Sequence, residues 1–555
     1  MRIIRGYILL KSVERRTASK LAVAAMIGLA LADVAAAQAP VSIPPPAPPV
    51  SVTTAVPLDP KLAGSLYLQC DGNPNNMSAG EGLARFVGAV TLLALFAPAA
   101  ETPDASKRKF GEDGVKACSG LIDGDKAEGT VVRRLPLILA RALHRIEAKD
   151  YAGALSDVAK AREESAKFNL ASDPYFQRSM GVSFNLIEAE THLRMGKAEL
   201  AQSTAFQSMK GQSYSYYPIV ASRDFAEHLP TLSENELTRL TALARLSATY
   251  QWLRAYRLSE GLRFAESAAA TDDAILWSEA FKQEDKSSFP NVAGAIAHAL
   301  AGNWPRATEL AARGRTNLET RRAEGKAEED ASSIVEMLDF YDIIQLVRDG
   351  KVKDARRNFA ARSKWLAPAF GQVQELNRRL RVGAAPEELF GALERTPDAM
   401  FAERRDQRLA TMLQLDKNNR TLFSMILPYA SVEAYERLSK RVWKTTGNAL
   451  IGKKPNEVLS AYSLSIYDGD SLTQVDALLL HAALQAKARG KTGFAYFLDT
   501  QRPSASFVRF GNAGEEGIPA SKYIPADDVI AELRHIIPPP EEVELRKARR
   551  AKAAK

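Results

Sequence analysis

The sequence predicts a mainly α chain: an α-solenoid of helical hairpins followed by a small C-terminal α+β domain. Three observations carry this. From about residue 131 to 395 apolar residues recur at helical spacing, and Gly and Pro break the pattern into short helices. Within that region a turn of the form G-[KN]-x-x-x-A returns at Gly196, Gly302 and Gly350, and internal recurrence is the mark of repeat architecture. Beyond Leu422 the texture changes to short alternating runs mixed with amphipathic stretches, the pattern of a compact α+β unit.

The N-terminus reads as an address. Arg2, Arg5, Lys11, Arg15, Arg16 and Lys20 precede an apolar core from Leu21 to Leu31, and Ala35-Ala36-Ala37 ends it. A basic region, a short apolar core and an A-x-A end make a secretory signal peptide over 1–37. Cleavage after Ala37 would release the chain into the periplasm; an uncleaved signal would leave it anchored. Residues 38–59 are a Pro-rich linker (PVSIPPPAPP at 40–49), extended and semi-rigid.

Charge follows the same division. The formal net charge is +8, of which +4 lies in residues 1–37 and +3 in the basic tail 541–555, leaving +1 for everything between. A nearly neutral body argues against a nucleic-acid groove. The 2 cysteines, Cys70 and Cys118, exclude a disulfide-dense scaffold. In an exported chain they read as one disulfide, pinning a helical cap over 60–130. The apolar run at 86–99 is short for a membrane span and reads as a buried helix.

Residues 131–410 carry the repeats. LILARALHRIEAKDYAGALSDVAKARE (137–163) sets Ala142, Tyr151, Ala154 and Ala161 at the small and aromatic positions of a tight helical hairpin. Four further copies follow, with anchors at Ala201, Gly261, Ala307 and Ala355. This pattern resembles that of the tetratricopeptide (TPR) family in degenerate form, as in repeat proteins of the bacterial envelope. The resemblance implies a TPR-like α-solenoid whose first helices line a concave groove. It places Glu147, Arg194, Arg254, Leu300 and Arg348 at one equivalent groove position, with Glu190 and Tyr250 one turn earlier. Arginines there suit bidentate recognition of carboxylate or phosphate. Leu139 and Leu143 stand where some TPR domains carry a Lys/Asn carboxylate clamp, so chaperone-tail binding is not expected.

Residues 411–540 form the α+β domain. Expected strands are 422–427, 458–468, 493–499 and 504–511. Expected helices are 431–443, 471–490 and 524–537, the last stopped by Pro538-Pro539-Pro540. The tail 541–555 is expected as a frayed basic helix or disorder.

Catalytic motifs are sparse. The six histidines form no H-x3-H or H-E-x-x-H pair, and no G-x-S-x-G or G-x-G-x-x-G follows a strand. Residues 447–454 (GNALIGKK) lack the Ser or Thr that a phosphate loop needs for magnesium. Asp71-Gly72-Asn73 begins like a calcium loop but has Asn76 and Gly82 where that loop needs Gly and Glu; it reads as a turn. His481 lies on an apolar stripe and reads as a core residue. The sequence therefore leads to an exported, non-catalytic scaffold that binds an envelope protein or peptide. No cofactor, metal or nucleic acid is expected, and the basic tail could add weak contact with anionic lipid. The alternative is an envelope enzyme of hydrolase type, with a site in the C-terminal domain gathering Asp468, Asp470, His481 or His535.

Overall fold

The structure is a computed structural model describing residues 64–75, 102–215, 219, 233–280, 288–326, 330–413, 420–444, 460–463, 471–498 and 505–553, except positions 126, 247, 431 and 517. The signal, the linker, the apolar run at 86–99, the 447–454 motif and Asp468 to Asp470 lie outside the described residues. Among those described, the chain is mainly helical, with one small antiparallel sheet near the C-terminus.

Two helices open the fold, α1 (Leu66–Asp71) and α2 (Gly111–Ile122). Cys70 and Cys118 join them in a disulfide, Sγ–Sγ 2.05 Å and Cα–Cα 4.8 Å. Both sulfurs sit in one apolar cluster with Leu135, Ile138 and Leu139 of the next helix. Asp71 is buried against Arg133, whose Nη2 donates to Oδ1 at 3.0 Å. The Asn73 amide also donates to Asp71 Oδ1, at 2.9 Å. The Asp71-Gly72-Asn73 segment is thus a turn tied to an arginine.

Five helical hairpins follow the expected copies: α3 (Val131–Glu147) with α4 (Tyr151–Lys167), α5 (Met180–Arg194) with α6 (Ala198–Phe206), and, after the lone α7 (Glu234–Leu246), α8 (Ala248–Glu260) with α9 (Phe264–Ala280). Then come α10 (Phe289–Leu300) with α11 (Trp304–Ala323) and α12 (Ala331–Arg348) with α13 (Val352–Ala360). Each hairpin turns in the same way. Lys149, Gly196, Leu262, Gly302 and Gly350 take positive φ of 63°, 75°, 61°, 83° and 74°. The next amide then reaches back five residues: Asp150 to Arg145 O, Lys197 to His192 O, Arg263 to Leu258 O, Asn303 to His298 O and Lys351 to Leu346 O, at 2.8–2.9 Å. This closure satisfies carbonyls that a helix end leaves open.

Five residues after each left-handed position sits a buried small residue: Ala154, Ala201, Ser267, Ala307 and Ala355. The third anchor is therefore Ser267, not Gly261. A hydroxyl is tolerated there because Ser267 Oγ donates to Ala255 O at 2.7 Å.

After the fifth hairpin the chain folds back. Helix α14 (Phe370–Arg381) crosses the ends of α8 and α10, and α15 (Pro397–Met412) follows it. The crossing is close: a Cβ on Gly371 would fall 2.2 Å from Ser259 O, so only glycine fits. The expected strand 422–427 is not a strand. Residues 420–423 form a helical turn and the rest is irregular. Leu422 and Phe423 bury in the disulfide cluster, while Leu427 buries against α5 and α6. Its amides pair locally instead of with a neighbouring strand: Met425 N and Ile426 N turn back to Leu422 O and Phe423 O at 3.0 and 3.2 Å, Leu427 N donates to Ser183 Oγ at 2.9 Å and, just beyond the run, Ala430 N to Ser179 Oγ at 3.1 Å. The expected helix 431–443 is two short pieces, Val432–Glu436 and Ser439–Val442.

The sheet comprises β1 (Ser460–Ser463), β2 (Gly493–Leu498), β3 (Ala505–Gly511) and β4 (Tyr523–Pro525) in the order β1-β3-β2-β4, all antiparallel. Helix α16 (Ser471–Ala488) packs on it, with α17 (Ala526–Leu533) alongside. The core of this unit is continuous with the repeats. Leu479, Phe494, Tyr496, Val529 and Ile536 share one cluster with Tyr175, Leu243, Leu246 and Tyr250. The tail is an ordered helix, α18 (Pro540–Ala553), started by Pro540 at its first position. Val543 is buried, and Arg550 grips Glu436 through both terminal nitrogens at 3.1 and 2.6 Å.

Candidate functional site

The residues expected in one groove have different surroundings. Glu147 is buried, and its Oε2 accepts the Gly111 amide at 2.8 Å, capping α2. The same oxygen lies 2.9 Å from His144 Nδ1, whose other nitrogen lies 2.8 Å from Cys70 O. Glu190 and Arg194 pair with each other, Nε to Oε1 at 2.7 Å, and Arg194 Nη1 donates to Leu413 O at 3.0 Å. Tyr250 belongs to the core shared with the sheet unit. Leu300 is buried, and its carbonyl accepts Arg379 Nη2 of α14 at 3.4 Å. Arg348 is exposed; its Nε donates to Asp349 Oδ1 at 2.7 Å, and its guanidinium lies 4.5 Å above the Trp304 ring. Glu147, Glu190, Arg194, Tyr250 and Arg348 therefore do not line one open surface with Arg254. The reason is the return of the chain, since α14, the end of α15 and the sheet unit lie against the first helices.

Arg254 stands at the seam between the hairpins and the sheet unit. It is half-buried in the second turn of α8. Burial holds its guanidinium below the ordinary arginine range, while Asp273 and Glu266 pull it up and Arg263 and Arg245 press it down. Its Nε is shut from solvent and has no hydrogen-bond partner, and the same holds for Arg245 in the last turn of α7. The acids nearby are otherwise engaged. Glu266 holds Arg263 at 2.6 and 2.8 Å. Asp273 accepts the Ser521 hydroxyl, and Asp528 accepts the Tyr214 hydroxyl at 3.4 Å. Lys522 closes the seam. It is fully buried, and its Nζ donates to Ala244 O at the end of α7.

A second set of charges locks the seam. Arg178 donates to Asp476 Oδ2 at 3.3 Å and to Glu532 Oε1 at 3.0 Å. The Tyr214 amide also donates to Glu532, at 3.1 Å. Burial pushes the Glu532 carboxyl up, and Arg178 opposes that. The histidines considered for an enzyme are apart. His481 is buried with Nδ1 2.9 Å from Val442 O, and burial pulls its pKa down. His535 borders an open surface depression with Asp527, Arg534 and Glu542.

Arg245 escapes the sequence reading, although a local signal exists. Neither Arg245 nor Arg254 has an acid three or four residues away, whereas Arg194 has Glu190, Arg263 has Glu266 and Arg257 has Glu260. A helical arginine with no such partner is free to pair across the fold, with water or with a ligand. Among the described residues no helix is long and apolar enough to cross a membrane. Compared with known proteins, the chain matches no protein-family model, no curated protein and no solved structure.

Proposed function

We propose that this chain is an exported, non-catalytic scaffold whose hairpins stack as a TPR-like solenoid and bind a protein or peptide of the bacterial envelope. One observation carries the reading. The same left-handed turn and buried small residue recur in five hairpins, and stacked hairpins make extended binding surfaces. Export is supported by the N-terminal pattern and by the Cys70–Cys118 disulfide, because such bonds persist in oxidising compartments. The binding face is the seam around Arg254, where the Nε atoms of Arg245 and Arg254 have no hydrogen-bond partner among the described residues. Exposed Leu545, Arg549 and Lys552 on α18 add a weak attraction to anionic lipid, of roughly 1 kcal/mol per basic residue.

The test is photo-cross-linking in the envelope of living cells, with the cross-linker at Leu262 or Arg254. A discrete adduct, identified by mass spectrometry and absent from an exposed position on another helix such as Glu319 of α11, is expected. No adduct at either position removes the reading. N-terminal sequencing of the purified chain checks the export step, and the expected first residue is Gln38.

A further inference from the structure

We infer that Arg245 and Arg254 form a carboxylate-binding site that receives an acidic side chain or a C-terminus of the partner; this rests on the scaffold reading above. Both side chains are half-buried, with Nε shut from solvent and no hydrogen bond or ion pair on either guanidinium among the described residues. Their stems are held in the seam between α7, α8 and the sheet unit, and in both the buried nitrogen without a partner is Nε. An arginine offers five donors in a fixed fork. A buried donor left unmatched carries a desolvation cost, and a ligand that engages the rest of the fork offsets part of it.

The surroundings choose the ligand. Asp273, Glu266 and Asp528 flank the pair, yet each is bonded elsewhere: to Ser521, Arg263 and Tyr214. They trim the positive field without filling the forks. Two unmatched guanidiniums beside flanking acids favour a planar, singly charged carboxylate over a doubly charged phosphate. Lys522 is not a free cation beside the pair. It is buried, turned to Ala244 O, and its pKa is pulled down to about 7.

The experiment titrates the purified chain with a hexaglutamate peptide, a hexaglutamine peptide and inorganic phosphate, and repeats this with R245Q/R254Q and with R348Q. Hexaglutamate should bind saturably and hexaglutamine should not. R245Q/R254Q should weaken binding by at least about tenfold for each guanidinium removed. R348Q, with the same type of charge change at a remote turn, should stay within about twofold of the parent chain. The double variant should melt near the parent temperature, because among the described residues neither guanidinium has a hydrogen bond or ion pair to lose. Equal binding by R245Q/R254Q overturns the inference, as does phosphate binding as tightly as hexaglutamate. A partner captured from Leu262 at unchanged yield in R245Q/R254Q leaves the scaffold standing and removes only this site.

Discussion

Replacing Lys522 by methionine should stabilise the fold at neutral pH and flatten its pH dependence. The lysine is completely buried, with Asp273 of α9 attracting it, Arg254 of α8 opposing it, and the Ala244 carbonyl of α7 as acceptor. Desolvation pulls its pKa from the ordinary 10.5 to about 7. In the unfolded chain the amine keeps its proton up to about pH 10.5; in the fold it loses it near pH 7. Between those values the unfolded state holds one more proton, so stability rises with pH. The limiting slope for one proton is about 1.4 kcal/mol per pH unit. The gap between the two pKa values corresponds to a penalty on the order of 4 kcal/mol at pH 7. Methionine keeps most of the volume but strands the Ala244 carbonyl, at a cost of about 1 kcal/mol. Lys522→Met should therefore gain roughly 2–3 kcal/mol at pH 7.5, with the gain shrinking toward pH 9.5. Urea unfolding of both chains at pH 7.5, 8.5 and 9.5 measures this. Parallel pH profiles, or a variant less stable at pH 7.5, would refute the reasoning and mean that the amine stays charged and paired in the fold.

Four further outcomes follow from the geometry. Gly114→Ala would set a Cβ 2.3 Å from His144 Nδ1, and the overpacking should cost about 1–3 kcal/mol in a thermal melt. Gly129→Ala, with nothing within 4 Å, should be neutral. Leu262→Gly should change stability by less than about 1 kcal/mol: relief of a left-handed leucine, about 1–2 kcal/mol, is offset by glycine's extra freedom, about 0.5–1 kcal/mol, and by the lost burial of a side chain that is 47% exposed, about 1 kcal/mol. A larger loss in the melt of that variant would mean that the leucine packs in a way the turn needs. Cys70→Ser with Cys118→Ser opens a loop of sequence separation 48, worth about 4 kcal/mol in the chain-entropy account. Limited proteolysis should then cut the α1–α2 cap first, and a cap as resistant as the parent's would show that the apolar cluster alone holds it.

What the sequence reveals, and what it hides, divides by range. The hairpin turns are legible because Gly196, Gly302 and Gly350 mark left-handed positions that glycine adopts freely. The third turn is displaced in a reading from sequence because Leu262 holds that position without glycine and Ser267 stands in for the buried alanine. The strand pair β2–β3 and helix α16 are legible through alternation and a capping Gly490. The run 422–427 is not, because six mostly apolar residues without a period fit a strand or a strap equally well. Only its two different clusters, and amides that turn back on the segment or meet Ser183, decide for the strap. The groove is least legible. Repeat geometry fixes where a side chain leaves the helix but not what lies above it. Arg194 meets Leu413 across a sequence distance of 219, and Tyr175 meets Ile536 across 361. Pairings of that range cannot be read from local spacing. What spacing does retain is the record of charges balanced nearby. An arginine with an acid one turn away is already settled, and one without is the place to look for what the fold or a partner must supply. By that rule Arg245 and Arg254 stand out among the helical arginines at the seam, before any interaction across the fold is considered.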